Sequence, residues 1–249
     1  MTPLASLDIA GRIATLTFQR EEARNALSLE LLRHLHAQVD VLATRLDVTV
    51  CVMTGAGKAF CAGMDLKAVL DDADAAHTLL HTLAELTLKI RALPMVTLAK
   101  VNGAAIGGGC GLACVCDIAI THAQSKMGYP EVDLGVCPAV VAPWLVRKIG
   151  AGRARRVLLS GGLMTGQQAL DIGLVDHCVA TAPELDAAAM TIAQRLSQGG
   201  PQALRATKAL LNQIDGSMDG ATVRRGADLS AQIVATHETR AMLRAKLGN

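Results

Sequence analysis

The sequence predicts an α/β fold, with one large core domain and a helical C-terminal region. Three observations predict it. Apolar strand-like segments alternate with amphipathic helical segments over the first half, loops of small residues join strands to the helices that follow, and the pattern becomes mostly helical from about residue 139. The chain has 249 residues, of which 51% are hydrophobic, so it can bury a sizeable core. We place the boundary at the "QGGPQ" break, between a core domain of residues 1–198 and a helical region of residues 199–249.

The first predicted elements are a β-hairpin, a helix and a buried strand. Leu4–Ala10 and Arg12–Phe18 alternate apolar and polar side chains on either side of a glycine, which is typical of two paired strands. Ser28 is a favourable N-cap, and the leucine and valine spacing after it predicts a helix over Leu29–Arg45. The continuous apolar segment Val48–Gly55 then predicts a strand that is buried on both faces.

The middle of the chain repeats the succession of strand, small-residue loop and helix. A long helical pattern covers Ala73–Leu93 and ends at Pro94, which cannot continue a helix. Met95–Val101 predicts the next buried strand, and a short helix that begins near Gly109 follows a glycine-rich loop. Cys116–Thr121 predicts a further strand.

The C-terminal part is predicted to be helical apart from one brief strand in "LVDHCV". Apolar periodicity predicts the last three helices over Glu184–Ser197, Pro201–Ile214 and Gly220–Leu247. These helices follow shorter helical segments that begin at about Ala139.

The composition argues against nucleic acid and membrane partners. The formal net charge is only +2 with dispersed basic residues, and the 2% of aromatic residues leave no row of rings on which bases could stack. No apolar run approaches the ~20 residues of a membrane span, and the first residues do not resemble a signal peptide. We therefore expect a cytoplasmic protein that handles small molecules, with its seven cysteines as reduced thiols rather than disulfides.

Two segments share the design of a buried strand, a small-residue loop and a helix start: "VMTGAGKAFCAGMDL" and "AKVNGAAIGGGCGL". The first N–H groups of a helix lack partners within the helix and lie at the positive end of its dipole, so each junction can bind developing negative charge. Gly107–Gly109 would let a ligand approach the backbone, although tight packing of helix on strand explains three glycines equally well. If the two junctions lie side by side, they can hold one oxyanion between them.

Neither segment matches a nucleotide-binding loop. In "GAGKAF", Ala59 stands where a phosphate-binding loop needs a hydroxyl for its metal ion. In the glycine run, Leu112 occupies the last glycine position of the dinucleotide fingerprint.

Three motifs together resemble one known family. "GKAFCAGMDL", "VNGAAIGGGCGLACVCDIAI" and "MGYPEVDLGVCP" occur in the order and spacing of the enoyl-CoA hydratase/isomerase (crotonase) superfamily, and the resemblance runs from "RNALS" to the C-terminal helices. It implies a spiral of β-β-α units with a helical C-terminal region that packs on neighbouring subunits in a homotrimer or homohexamer. It also implies an acyl-CoA thioester substrate, and no cofactor besides the coenzyme A that the substrate carries.

The resemblance also implies a set of site residues. The oxyanion hole would consist of the backbone N–H groups of Met64 and Gly108, which would hold the thioester oxygen as an enolate forms. Backbone near Ala62 would contact adenine, and Lys67 would either meet a phosphate of coenzyme A or be an ordinary solvated lysine. The substrate-binding positions carried over are Ala62, Met64, Asp65, Leu66, Lys67, Gly108 and Gly111.

One of the acids that many hydratases of this family use is missing. Such enzymes have two glutamates; this chain has Glu131 in "PEV" and Gly111 in place of the other. Because glycine cannot transfer a proton, Gly111 is expected to make room for substrate or for water. Glu131 would then act alone, either in hydration, exchanging protons with water and with C2, or in isomerisation, carrying a proton between C2 and C4. A partly apolar pocket that raises its pKa would favour both.

The segment after Glu131 favours hydration. "EVDLGVCPAVVAPWLVRKIGAGRARR" is similar to the branch of the family that hydrates 3-methylglutaconyl-CoA and isohexenylglutaconyl-CoA. Such substrates carry a distal carboxylate, for which Arg147, Lys148 or an arginine of "GRARR" would be the partner, unless these residues are only exposed surface groups. The leading hypothesis is therefore a single-glutamate enoyl-CoA hydratase; the alternatives are an enoyl-CoA isomerase and a non-catalytic relative that binds acyl-CoA or RNA.

Two further groups of residues have some features of a metal or nucleophile site. His77 and His81 stand four apart on a predicted helix, but the glutamate of the zinc-protease motif is absent and no third ligand is evident from the sequence. Cys110, Cys114 and Cys116 match no metal-binding spacing, and their apolar neighbours indicate core packing. The sequence therefore predicts no metal site.

Overall fold

The computed structural model describes residues 3–66, 70 and 72–247. Within them the strands form a larger and a smaller sheet. The strands of the larger sheet are β1 (Ala5–Ala10), β2 (Ile13–Phe18), β3 (Val50–Gly55), β5 (Val96–Val101), β7 (Ile118–His122) and β10 (His177–Val179), paired in that order. Those of the smaller sheet are β4 (Ala59–Cys61), β6 (Ala104–Ile106), β8 (Lys126–Gly128) and β9 (Leu163–Thr165), also paired in that order.

Helices cover the sheets and form most of the C-terminal part. The described helices are α1 (Leu29–Ala43), α2 (Ala73–Ala92), α3 (Gly108–Val115), α4 (Ala142–Ile149), α5 (Ala151–Ser160), α6 (Gly166–Asp171), α7 (Ala182–Ser197), α8 (Pro201–Ile214), α9 (Ala221–Val234) and α10 (His237–Leu247). The α/β fold with helical C-terminal part that the sequence predicts is confirmed. None of the described helices combines the length and apolar character that crossing a bilayer requires.

The pairing of the strands follows from their sequence patterns. β1 and β2 alternate in burial and form the predicted antiparallel hairpin, whereas every residue of β3 is buried and β3 lies between the parallel neighbours β2 and β5. A strand that is covered on both faces needs apolar side chains on both faces, which "VCVMTG" supplies apart from its final threonine and glycine.

One predicted helix is two helices in the structure. The sequence pattern predicts a continuous helix over Gly220–Leu247, but α9 ends at Val234 and α10 begins at His237. The Thr236 hydroxyl oxygen accepts a hydrogen bond from the N–H of Thr239 at 3.3 Å, as a helix N-cap does. This local cap competes with continuation of the helix, and the apolar periodicity does not reveal it.

A polar network around Asp117 joins the C-terminal helices to the larger sheet. Its Oδ2 accepts hydrogen bonds from the Thr97 N–H at 2.8 Å and the Thr97 hydroxyl at 2.9 Å, and it lies 2.8 Å from the Lys208 ammonium of α8. Its Oδ1 accepts from Arg91 at 3.2 Å. Lys208, which is only 7% exposed, also donates to the Met95 carbonyl at 2.8 Å. The network satisfies a cation that would otherwise be buried without a partner.

Candidate active site

The two strand-to-helix junctions lie side by side, as the hypothesis of a shared oxyanion site requires. β4 and β6 are parallel neighbours, with Ala59 opposite Ala104 and Cys61 opposite Ala105, so the loops that follow them leave the same edge of the smaller sheet. A Cβ built on Gly63 would lie 2.7 Å from the Ile106 carbonyl oxygen and 3.9 Å from the Gly108 nitrogen. The loop before Met64 therefore lies against the start of α3.

The N–H groups of Met64 and Gly108 are both available to a ligand. Leu27 forms a parallel β-bridge with Met64 through hydrogen bonds to the two residues that flank Met64. The Leu27 N–H donates to the Gly63 carbonyl at 2.8 Å, and the Asp65 N–H donates to the Leu27 carbonyl at 3.1 Å. The Met64 N–H itself points away from Leu27, because backbone groups alternate in direction along an extended chain. Across the described ranges, neither this N–H nor that of Gly108, the first of α3, donates to a protein acceptor.

Gly107 combines a special backbone conformation with a close approach. Its φ of 54° and ψ of −117° at the N-cap of α3 are open to glycine and strained for other residues. A Cβ at this position would lie 2.6 Å from Glu131 Oε1, so the absence of a side chain lets the carboxyl group approach the backbone. Gly109 serves packing instead, because a Cβ there would lie 2.2 Å from the Cys61 carbonyl oxygen. The packing explanation therefore holds for Gly109, while the approach of a ligand to the backbone of the glycine run stays a prediction.

Met64, Gly108 and Glu131 line one cavity of about 100 Å³. Its wall is mostly aliphatic and comes from α2, from the segments after β4, β6 and β8, and from the residues just before α4. Besides these three residues, the cavity is lined by Ala62, Gly63, Leu66, Leu80, Leu83, Ile106, Gly107, Pro130, Leu134, Val136, Cys137, Pro138, Val140 and Val141. Glu131 is thus the one carboxylic acid among the described lining residues.

Glu131 is held by its backbone and left without a side-chain partner. It follows the short strand β8, and its carbonyl accepts hydrogen bonds from the N–H groups of Leu134 at 2.9 Å and Val136 at 2.8 Å. Its Oε2 is buried and has no hydrogen-bond partner among the described residues. Burial raises the pKa of Glu131 to about 7, against an ordinary value of 4.5. At neutral pH such a carboxyl group can both accept and donate a proton.

Val141 occupies the space that a side chain at position 111 would need. Gly111 is buried in α3, and a Cβ there would lie 2.2 Å from Val141 Cγ1. Gly111 does not line the cavity, whereas Val141 does. The structure therefore differs from the expectation that Gly111 makes room for substrate or water, because an aliphatic side chain from the start of the α4 region fills the space.

Some of the other predicted substrate-binding positions line the cavity and others do not. Ala62 and Leu66 line the cavity. Asp65 does not line it: its carboxylate lies 2.8 Å from the Arg20 guanidinium, which also donates to the Ala26 carbonyl. The pair fixes the loop that carries Met64. Lys67 lies outside the described residues.

The cations proposed for a distal carboxylate are used elsewhere. Arg147 donates to the carbonyls of Asp215 and Gly216, and Lys148 lies 2.6 Å from Asp176. Neither lines the cavity. The three arginines of "GRARR" are exposed along α5 and do not line it either. Of the two alternatives, the structure favours the exposed surface group for the arginines of α5, whereas Arg147 and Lys148 contact other groups of the protein.

The cavity wall contains residues that the sequence did not single out. Leu80 and Leu83 of α2 belong to it, as do Val140 and Val141 before α4. In the sequence these residues show only ordinary helical or apolar periodicity. That periodicity is the same for a residue that packs in the core and for one that contacts a substrate. Only the tertiary packing distinguishes the two.

Comparison with known proteins gives a consistent result. Residues 8–243 match the family described as enoyl-CoA hydratase/isomerase. The 2,3-dehydroadipyl-CoA hydratase of Escherichia coli is 36% identical over 203 residues, which are 81% of this chain and 79% of that protein. A crystal structure of an enoyl-CoA hydratase from Mycobacterium avium superposes with a TM-score of 0.87 at 30% identity, covering 100% of this chain and 97% of the other. Pseudomonas aeruginosa AtuE gives a TM-score of 0.81 at 36% identity, covering 95% and 93%.

Proposed function

Because the chain belongs to the enoyl-CoA hydratase/isomerase family, we propose that it adds water across the 2,3 double bond of an enoyl-CoA thioester, with Glu131 as its single acid/base. The observation that carries this proposal is the position of the Glu131 carboxyl group. Its Oε2 is buried without a hydrogen-bond partner among the described residues, and Glu131 lines the same cavity as Met64 and Gly108, whose N–H groups donate to no described acceptor. An acid/base and two oxyanion donors in one apolar cavity are the groups that this reaction needs.

The reaction can be written with these groups alone. The thioester oxygen accepts hydrogen bonds from Met64 and Gly108, which stabilise the negative charge that develops on it. Glu131 takes a proton from water as its oxygen bonds to C3, and the electron pair of the double bond moves into the enolate. The enolate then takes a proton at C2 from Glu131, which restores the carboxylate. No cofactor beyond the thioester takes part in this scheme.

The raised pKa of Glu131 suits both proton transfers. A carboxylate with its ordinary pKa would be a weak base toward water, and its conjugate acid would rarely be present at neutral pH. With a pKa of about 7, both forms are populated under working conditions. The apolar wall that raises this pKa also limits the access of other water.

The wall of the cavity favours an aliphatic acyl group. Leu80, Leu83, Leu134 and Val136 offer only apolar contacts, and no lysine or arginine is present among its described lining residues. A distal carboxylate placed there would lose hydration without gaining a cation. We therefore propose an aliphatic enoyl-CoA in preference to a glutaconyl-type substrate.

Isomerisation is the second candidate, and one observation favours it. Val141 fills the place of a second acid, so one carboxylate is available, and moving a proton between C2 and C4 needs only one. Hydration and isomerisation differ in their products, because only hydration adds the mass of water.

The test is product analysis with two thioesters. Crotonyl-CoA and 3-methylglutaconyl-CoA are incubated with the wild type, with Glu131→Gln, and with Glu184→Gln as a control at an exposed acid of α7. We expect the mass of water to be added to crotonyl-CoA by the wild type and the control but not by Glu131→Gln. Unchanged thioesters with all three proteins, or turnover that survives in Glu131→Gln, would contradict the proposal. In a parallel incubation of the same three proteins with a 3-enoyl-CoA, a shifted double bond without added water would establish the isomerase instead.

We also propose that the chain assembles into a homotrimer or homohexamer. α8 and the turn after it expose large apolar side chains, with Leu211 54%, Ile214 72% and Met218 57% exposed. A row of this kind is typical of a subunit interface. Light scattering after gel filtration should give three or six times the mass of one chain, and Ile214→Glu should lower it; a monomeric wild type would contradict this proposal.

A further inference from the structure

Two histidines of α2 and an aspartate of α9 form a cluster away from the lining of the cavity. His77 and His81 lie one turn apart, and their ring centroids are 4.2 Å from each other. Asp228 belongs to a helix 147 residues later in the chain, yet its Oδ1 lies 2.9 Å from His81 Nε2. One ligating atom from each of the three residues lies within 4.8 Å of the other two. The third ligand that the sequence did not reveal is therefore supplied by the packing of α9 on α2.

We propose that His77, His81 and Asp228 form a binding site for a divalent transition-metal ion of the zinc type. Two imidazole nitrogens and a carboxylate oxygen are a ligand set that zinc accepts, whereas magnesium and calcium prefer oxygen ligands alone. Bonds of about 2.1 Å place tetrahedral ligand atoms about 3.4 Å apart. His81 Nε2 and Asp228 Oδ1, now 2.9 Å apart, would separate slightly, and the other pairs, which lie within 4.8 Å, would close to the same spacing. Water would complete the coordination.

The backbone that carries the three ligands is already fixed. α2 and α9 pack against each other, and Arg224 of α9 donates two hydrogen bonds, of 2.5 and 3.0 Å, to Glu85 of α2. This ion pair lies one turn beyond the cluster and neutralises the nearby guanidinium charge. The site therefore needs side-chain rotation rather than movement of a helix.

The ligands are also accessible from solvent. The side chains of His81 and Asp228 are 30% and 52% exposed, and His77 is exposed. An ion can reach them without opening the core. The present hydrogen bond already points His81 Nε2 and Asp228 Oδ1 at each other, and a metal ion would take the place of the proton between these two atoms.

An ion at this position would link the cavity wall to the C-terminal helices. Leu80 and Leu83, which line the cavity, belong to the same turns of α2 as His81. Binding would fix these turns to α9 through a second contact beside the pair of Glu85 and Arg224. The inference concerns binding and does not depend on the reaction proposed above.

The experiment is a zinc titration of the full chain, without a histidine tag, in competition with a chromophoric chelator. Wild type is compared with His77→Gln and Asp228→Asn, and with His237→Gln as a matched control at an exposed histidine of α10. We expect one ion per chain in wild type and control, and at least a tenfold loss of affinity in the two cluster variants. Equal affinity in His77→Gln and wild type would overturn the proposal and would point to other groups, such as the half-buried Cys137 and Cys178.

Thermal unfolding provides a second readout that does not use activity. Because the ligands come from two helices, an ion that binds only the folded chain should raise the Tm of wild type and His237→Gln. It should leave the Tm of His77→Gln unchanged, and because His77 is exposed this substitution is expected to leave the fold intact. A rise of equal size in all three proteins would contradict the site.

Discussion

Glu131 and Asp117 are carboxylates in two regions of the same chain, and they differ in the number of donors around them. Asp117 receives two hydrogen bonds from Thr97 and lies against the cations of Arg91 and Lys208. Glu131 Oε2 is buried among aliphatic side chains and receives none from the described residues. A saturated carboxylate stabilises the fold, whereas an unsatisfied one costs free energy and remains available for proton exchange. The comparison predicts opposite outcomes when each group is changed.

Replacing Glu131 should give the largest effect, and the effect should be on the rate. In Glu131→Gln the amide cannot exchange a proton, so we expect kcat to fall by about 10³-fold. The free energy of unfolding at pH 8 should stay equal or rise, because a buried carboxylate without partners is removed. Steady-state kinetics and urea unfolding measure the two quantities. A clear loss of stability with retained kcat would place Glu131 in the same class as Asp117.

Replacing Asp117 should do the reverse. Asp117→Asn leaves the buried ammonium of Lys208 without its charge partner, so the free energy of unfolding should fall by about 3–5 kcal/mol. The kcat of the folded protein should change little. Asp186→Asn is the control: Asp186 pairs with Lys100, but its side chain is 80% exposed, and a loss under about 1 kcal/mol is expected. Equal losses in the two variants would show that the network around Asp117 contributes no more than a surface pair.

A methyl group at position 107 should displace the carboxyl group of Glu131, which lies next to Gly107. Gly107→Ala places a Cβ 2.6 Å from Glu131 Oε1, and we expect a shift of the carboxyl group that lowers kcat about 10²-fold. Gly216→Ala is the matched control, because Gly216 also has a positive φ, of 68°, but has open space around its Cβ position. Both variants should lose stability through backbone strain, and only the first should lose activity. Equal kcat values would contradict the close approach.

The contact between Gly111 and Val141 should give the smallest effect. Gly111→Ala alone overpacks α3 against Val141 and should lower the free energy of unfolding by about 2 kcal/mol. In the background of Val141→Gly, which also removes the Val141 Cβ that would lie 2.7 Å away, the same change should cost much less, and a double-mutant cycle measures the coupling. Additive effects would show that Val141 does not fill the space beside Gly111.

Local patterns in the sequence predict the fold class, and the family resemblance names Met64, Gly108 and Glu131, which the structure brings to one cavity. Met64 and Gly108 stand at strand-to-helix junctions that are readable from the sequence, and parallel pairing of β4 and β6 then brings them together. Glu131 was found through its motif. The structure adds its isolation from hydrogen-bond donors, which depends on residues distant in the chain.

The features that the sequence did not predict all depend on contacts between distant segments. Val141 meets Gly111 only after α4 packs on α3, and Asp228 meets His81 only after α9 packs on α2. Arg147 and Lys148 looked available for a carboxylate because their partners, such as Asp176, come later in the chain. Residue type and local periodicity carry no information about such partners.

The pH dependence of kcat/KM for crotonyl-CoA hydration tests most directly the claim that Glu131, whose Oε2 is buried without a partner among the described residues, is the acid/base. Water must give its proton to the ionised carboxylate of the free enzyme, so the rate should rise with pH and level off above a pKa of about 7. That result would match a carboxyl group whose pKa is raised by burial in an apolar cavity. A kcat/KM that does not change between pH 5 and 8, or a rise centred near the ordinary glutamate pKa of 4.5, would contradict the claim.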